Sequence, residues 1–182
     1  MIKIRMDDLD TRIKLEILKP AHEEFVKRGI PMTVAVNNMM GHDYKIPQEI
    51  LDYVNNTDPK TWDIQLHGLT HERMWTYNKS EMYRDIWCNL TLTKRDFIHS
   101  NPTIFYPPWN QTSKIMENIC KELGLTVVVS SKTIREFLLD WAIENETMFY
   151  WHWQTPDDVD MLPKVLDKIL QLEKGGKNGT IL

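Results

Sequence analysis

The sequence predicts an α/β protein built on a parallel sheet, either closed into a barrel or left open and doubly wound. Three observations carry this expectation. Short apolar runs of strand length alternate along the chain with longer stretches of helical spacing. Glycine and proline punctuate the joins between them. The residues able to do chemistry fall at or just beyond the C-terminal ends of the predicted strands, the face where α/β active sites gather.

The elements follow in order. Ile2, Ile4 and Met6 share one face of a first strand over 1–6, with charged residues between them. Helical spacing over 12–28 ends at Gly29-Ile-Pro31, and 32–36 is a short apolar strand. Pro47 opens a helix through Val54, as proline does in a first turn. Strand 62–66 delivers His67 at its end. Ser80 is the expected cap of a long helix reaching about Ile98. Strand 103–106 is halted by Pro107-Pro108, a rigid turn that can hold a cis bond. Helix 113–123 ends at Gly124, followed by strand 125–129, helix 134–143, strand 148–153 and a last amphipathic helix over 161–172. The expected organisation is one domain over 1–174 and a flexible tail over 175–182. No internal repeat is visible.

Composition narrows the function classes. The chain has 182 residues, 42% hydrophobic and 26% charged, with a net charge of −4. These are the proportions of a globular domain, and nothing in them favours nucleic acid or a membrane as partner. Cys88 and Cys120 lack metal-ligand spacing and read as reduced thiols. No signal peptide precedes the first strand, so the expected location is cytoplasmic. Seven tryptophans are a surplus for a chain of this size; Trp75, Tyr106, Trp109, Trp151 and Trp153 are candidates either to stack on sugar rings or to pack the barrel rim.

The chemistry rests on two signals, Asp7-Asp8 and His67-Gly-Leu-Thr-His71. Adjacent carboxylates on a strand point to opposite sides and serve two different jobs. Two histidines four apart can converge on one ion. A carboxylate with two imidazoles, and a second carboxylate left free, is a minimal kit for metal-assisted hydrolysis. Taken alone, the Asp pair reads as a helix cap and the histidines as surface residues. His152, between Trp151 and Trp153, reads alone as a core histidine. His22, His42 and His99 are expected at the surface.

These residues, in this order, resemble the polysaccharide deacetylase family of metal-dependent carbohydrate esterases, which have a distorted (β/α) barrel with parallel strands and outer helices. Met6-Asp7-Asp8 looks like the family's first motif and His67-Gly-Leu-Thr-His71 its second. Phe105-Tyr-Pro-Pro-Trp-Asn110 resembles the third, and Tyr150-Trp-His152 the last. The resemblance implies that Asp8, His67 and His71 hold one divalent metal, zinc first, with cobalt, nickel or manganese as alternatives. It makes Asp7 the general base, His152 the general acid, and the backbone N–H of Trp109 part of an oxyanion hole, with Tyr106 and Pro108 beside the substrate. The substrate would be an N-acetylated sugar or small glycan.

Four departures accompany the match. Leu9 and Asp10 follow the Asp pair where the family has Gly, and Gly68 stands where it has Ser or Thr. Tyr106 stands where the family has the Arg that holds the base carboxylate, and no clear fourth motif is present, Asp140-Trp141 being the nearest candidate. Arg5, two residues before Asp7, shares its strand face and is the expected replacement for the missing Arg. Asp10 and Trp151 are further candidates for support. Two alternatives stand beside the deacetylase: a catalytically impaired sugar- or partner-binding protein on the same fold, and a hydrolase of another C–N bond, such as a formamide or cyclic imide. The oligomeric state is open.

Overall fold

Period-two alternation along the strands decides the architecture. Ile4, Met6, Val34, Val36, Ile64, Phe149 and Trp151 enter one large apolar cluster with helix residues such as Leu18, Phe25, Ile50, Leu162 and Leu166. The intervening positions, Arg5, Asp7, Thr33, Gln65 and His67, are buried as well, on the opposite side of the sheet. The sheet therefore has a helix-covered apolar outer face and a polar concave inner face. This structure, a computed structural model, describes residues 2–39, 45–130, 132–138 and 148–175.

The strands are β1 (Lys3–Leu9), β2 (Met32–Val36), β3 (Trp62–Leu66), β4 (Ile104–Phe105), β5 (Thr126–Val127) and β6 (Met148–His152). All pair in parallel, in the order β5-β4-β3-β2-β1-β6. The helices are α1 (Leu15–Lys27), α2 (Gln48–Asn56), α3 (Lys79–Asp96), α4 (Lys114–Glu122), α5 (Ile134–Phe137) and α6 (Pro156–Gly175). The gap between β5 and β6 is spanned by the chain that follows β5. Ser130 Oγ donates to the Met148 carbonyl at 2.5 Å, and Thr133 forms a parallel bridge with Tyr150. The result is the distorted (β/α) barrel that the family resemblance implies.

Element boundaries differ from the expected ones where side chains compete for the backbone. β1 runs three residues past Met6, because Asp7 pairs with His152 and Leu9 with Val36 across a register shift. α3 is capped by Asn78, not Ser80: the Asn78 side chain accepts from Glu81 N while Glu81 reaches back to Asn78 N. α6 begins at Pro156, with Asp157 and Asp158 in its first turn, rather than at Met161. β4 and β5 shorten to two residues each. The Pro107 and Pro108 bonds are trans. Beyond Leu138, the expected helix over 134–143 lies outside the described residues, as do Asp140-Trp141, His42 and the expected tail apart from Gly175. No helix among the described residues is long and apolar enough to cross a membrane.

His22 is not at the surface. It is buried on α1, stacked on Trp62 with ring centroids 3.8 Å apart, and its nitrogens meet Tyr53 Oη and Thr61 Oγ1 at 2.9 Å each. Burial pushes its imidazole down to about 4. The unfolded chain then binds a proton that the folded chain refuses, so stability present above pH ~6.5 is lost as pH falls towards 4. Each pH step below the unfolded value costs about 1.4 kcal/mol, so between pH 7 and 5 this group alone is expected to remove about 2 kcal/mol. Urea unfolding of the wild type and His22→Phe at both pH values checks it: the variant should lack this part of the acid sensitivity.

Candidate metal and catalytic site

The three donors predicted for a metal meet on the concave face. The ligating atoms of Asp8, His67 and His71 all lie within 4.8 Å of one another. Asp8 Oδ1 is 3.5 Å from His67 Nε2 and 3.5 Å from His71 Nε2. His67 leaves β3 at its C-terminal end, and its Nδ1 is 2.7 Å from the Tyr106 carbonyl. That contact requires Nδ1 to carry the proton, which leaves the Nε2 lone pair aimed at Asp8. Burial holds the His67 imidazole below its usual range despite the nearby Asp7 and Asp8 carboxylates. It is thereby kept in the neutral form that a metal needs.

Asp8 reaches this cluster through an irregular backbone. Regular alternation would turn it away from the face that Asp7 occupies. Instead the β1–β2 register shifts between Met6 and Leu9, and Asp8 takes a left-handed φ of 61°. Both carboxylates consequently lie near His67. Trp153 Nε1 donates to the Asp8 carbonyl at 2.6 Å, and Gln154 Nε2 lies 3.5 Å from Asp8 Oδ2. These contacts from the chain after β6 hold a conformation that costs about 1–3 kcal/mol. Asp8 Oδ1 is buried and has no hydrogen-bond partner. A buried carboxylate oxygen without a donor, 3.5 Å from the Nε2 atoms of two imidazoles, fits a divalent cation.

Asp7 is bound by Arg5. Arg5 Nε donates to Asp7 Oδ1 at 2.5 Å and Nη2 to Oδ2 at 2.9 Å, and both residues are buried. The guanidinium also donates from Nη2 to Asn110 Oδ1 at 2.9 Å and lies 4.3 Å from the centre of the Tyr106 ring. Position 106 thus carries not the Arg but the aromatic floor on which an Arg from β1 rests. Burial by itself would raise the Asp7 carboxyl; the Arg5 guanidinium beside it outweighs burial and holds it below the usual carboxylate range. Asp7 is therefore ionised at neutral pH.

The loop from His67 to His71 is held by residues that no motif marks. Asn37 Nδ2 donates to the carbonyls of His67 at 2.6 Å and Gly68 at 3.1 Å. Gly68 N donates to Asn89 Oδ1 at 3.0 Å, and Leu69 N to Asp85 Oδ1 at 2.9 Å. Asn89 Nδ2 continues to Asn38 Oδ1 at 2.6 Å. Burial pushes the Asp85 carboxyl up to about 6 despite the backbone N–H groups of Leu69 and Thr70. A signal for these residues is in the sequence: Met82, Asp85, Ile86, Asn89 and Thr93 form the buried stripe of α3, so three polar side chains occupy core positions. Asn37 and Asn38 follow directly on the end of β2.

Gly68 has a φ of +88°, and a Cβ there would meet Thr70 O at 3.0 Å and Pro108 Cγ at 3.2 Å. Gly68→Ser, although it restores the residue type of the resembled motif, is expected to cost about 2 kcal/mol and to loosen the candidate metal site by displacing His67 and His71. Urea unfolding and a zinc titration measure the two effects.

Other candidates are distributed differently. His152, at the end of β6, has Nε2 3.9 Å from Asp8 Oδ2, its ring edge against Tyr150, and its backbone N–H 3.3 Å from Asp158 Oδ2. Trp109 sits in a strained turn with φ 61°, its ring 5.1 Å from that of His71. Pro108 is buried beside Gly68. Tyr106 and Trp151 are fully buried and cannot stack on a ligand; Trp151 belongs to the outer apolar core, facing away from the site. Trp153 is half-buried behind Asp8. Asp10 turns aside to pair with Arg12, whose Nη2 it meets at 2.6 Å.

The family profile of polysaccharide deacetylases matches residues 16–128. That span includes both histidines and Trp109 but neither the Asp pair nor His152. No curated protein matches. Among solved structures, a family 4 carbohydrate esterase from Streptomyces lividans, in complex with acetate, is similar with a TM-score of 0.73 and 13% identity, covering 93% of this chain and 88% of that one. Peptidoglycan deacetylase PdaC from Bacillus subtilis gives a TM-score of 0.71 and 11% identity, over 94% and 84%. A family 4 pseudoenzyme from Bacillus anthracis gives 0.73 and 13%, over 94% of this chain but 62% of that one.

Proposed function

The chain belongs to the polysaccharide deacetylase family, and on that premise we propose that it is a metal-dependent hydrolase removing an N-acyl group, N-acetyl first, from an amino sugar or small glycan. The observation that carries the reading is the convergence of Asp8, His67 and His71 on one point, with Asp8 Oδ1 buried and unpartnered and an ionised Asp7 beside it. A divalent ion on this donor set, zinc by the preference of imidazole and carboxylate ligands, supplies Lewis-acid activation of water and of the amide carbonyl.

The protein's own groups do the rest. Asp7 accepts the proton that water gives up as it attacks the acyl carbon. Arg5 fixes the orientation of that carboxylate and uses one lone pair on each oxygen, which leaves another free. The Trp109 N–H donates to the carbonyl oxygen as it gains negative charge; one such donor is typically worth about 3 kcal/mol. His152 delivers a proton to the departing nitrogen, the C–N bond breaks, and acetate and a free amine leave.

A binding protein without turnover is the second reading. A family 4 pseudoenzyme shares the fold, so fold alone does not imply catalysis. Tyr106 in place of the motif Arg favours this reading. The Arg5–Asp7 pair weakens it, because the contact that the motif Arg would make is supplied from β1. The test is acetate release by zinc-loaded protein from a panel of N-acetylglucosamine oligomers and small N-acyl sugars. Release supports the hydrolase; oligomer binding without release from any member would favour the binding protein.

A further inference from the structure

Arg73 is an exposed cation without a counter-ion among the described residues. Its guanidinium lies 5.7 Å from the centre of the Trp75 ring and 5.6 Å from that of Trp109. Both rings are largely open to solvent, Trp75 at 45% and Trp109 at 52% exposure, in a chain whose other site aromatics are buried or half-buried. Trp109 in turn packs against His71. The series His71–Trp109–Arg73–Trp75 is thus a continuous ridge leading outward from the metal donors.

A guanidinium held over ring faces keeps its N–H donors in its own plane, where they can fork onto a planar carboxylate. The ring contacts fix the position of the cation without neutralising it. The exposed indoles beside it offer the flat apolar surface that sugar rings use. An uncompensated, pre-positioned Arg at the rim of a glycan site selects for negative charge.

Resting on the deacetylase reading above, we propose that Arg73, held between Trp75 and Trp109, binds a carboxylate on the sugar adjacent to the one being deacetylated, so that the preferred substrates are N-acetylated oligosaccharides bearing an acidic sugar. A bidentate Arg–carboxylate contact at this rim is expected to give about tenfold preference.

The experiment uses zinc-loaded protein and a matched pair of probes: a neutral N-acetylglucosamine tetrasaccharide, and the same tetrasaccharide with one C6 hydroxymethyl oxidised to a carboxylate. Calorimetric affinity and acetate release are measured for each, in wild type, Arg73→Gln and Arg73→Lys. The wild type should bind the acidic probe about tenfold more tightly, with the ratio shrinking in high salt. In Arg73→Gln the ratio should fall to near one, and in Arg73→Lys to an intermediate value, because the charge remains but the fork is lost. Equal affinity for both probes, no binding of either, or a preference that survives Arg73→Gln would overturn the proposal. An Arg73-dependent binding preference with no acetate released from either probe would support the acidic-sugar site while sinking the deacetylase reading, so the two failures are distinct.

Discussion

Arg5→Met is expected to destroy most turnover while leaving the metal bound, and to cost about 3–5 kcal/mol of stability at neutral pH. The stability loss follows from breaking a buried ion pair on one side only: Asp7 keeps its burial and loses the two donors that compensate it. The sign of the pH dependence is fixed by the same pair. In the wild type the Asp7 carboxyl is held below the usual range, so its contribution is present above the unfolded value near 3.8 and is lost as pH falls through the folded one. Without Arg5 the burial that raises this carboxyl is less opposed, and the variant loses stability as pH rises instead. The gap between the two proteins should therefore be large at pH 7.5 and narrow towards pH 4.5, as read by urea unfolding of metal-free protein. Turnover falls because Asp7 loses the two donors that orient it and oppose the effect of burial on its carboxyl, whereas Asp8, His67 and His71 keep their own contacts. Unaffected turnover in this variant would dispose of Arg5 as the replacement for the missing motif Arg.

Asp7→Asn separates base from ligand. The amide keeps the size of the carboxylate but cannot accept the proton from water, so kcat should drop about 10²–10⁴-fold, the usual range for a general base. Zinc content should stay near the wild-type value, because Asp8 supplies the carboxylate of the donor set. Asp8→Asn should do the reverse and lose the ion first. Parallel kinetics and elemental analysis of the two variants check this division; equal metal loss in both would show that the carboxylates act as a joint ligand pair.

The order of strands and helices is legible because period-two and 3.6-residue patterns are written in single residues: Ile4 and Met6 outward, Arg5 and Asp7 inward. Motif spacing shows that one carboxylate and two histidines can meet; that the carboxylate is residue 8 comes from the family resemblance. What alternation cannot convey is the route by which Asp8 arrives there. A bulge and a left-handed φ depend on the Trp153 indole 145 residues away in the chain. The role of Tyr106 is similarly hidden: as a strand-end aromatic it reads equally as a ring for sugar stacking or for packing the rim, and the buried guanidinium on its face makes it part of the floor. His22 defeats the surface expectation because an isolated polar residue on α1 carries no mark of the Tyr53 and Thr61 hydroxyls that satisfy it. The support of the metal loop from α3 is visible in principle, since Asp85 and Asn89 stand where the helix stripe requires apolar residues. That signal lies in a conflict between pattern and residue type, not in a motif.

The central claim is that Asp8, His67 and His71 hold one divalent ion. Elemental mass spectrometry on chelator-free protein, wild type beside His67→Ala with its fold checked by circular dichroism, tests it most directly. The expected result is about one zinc or similar ion per chain in the wild type and a large loss in the variant, whose site keeps only two of its three donors. A wild type that takes up no metal even after reconstitution, or a His67→Ala protein that holds as much as the wild type, would contradict the account.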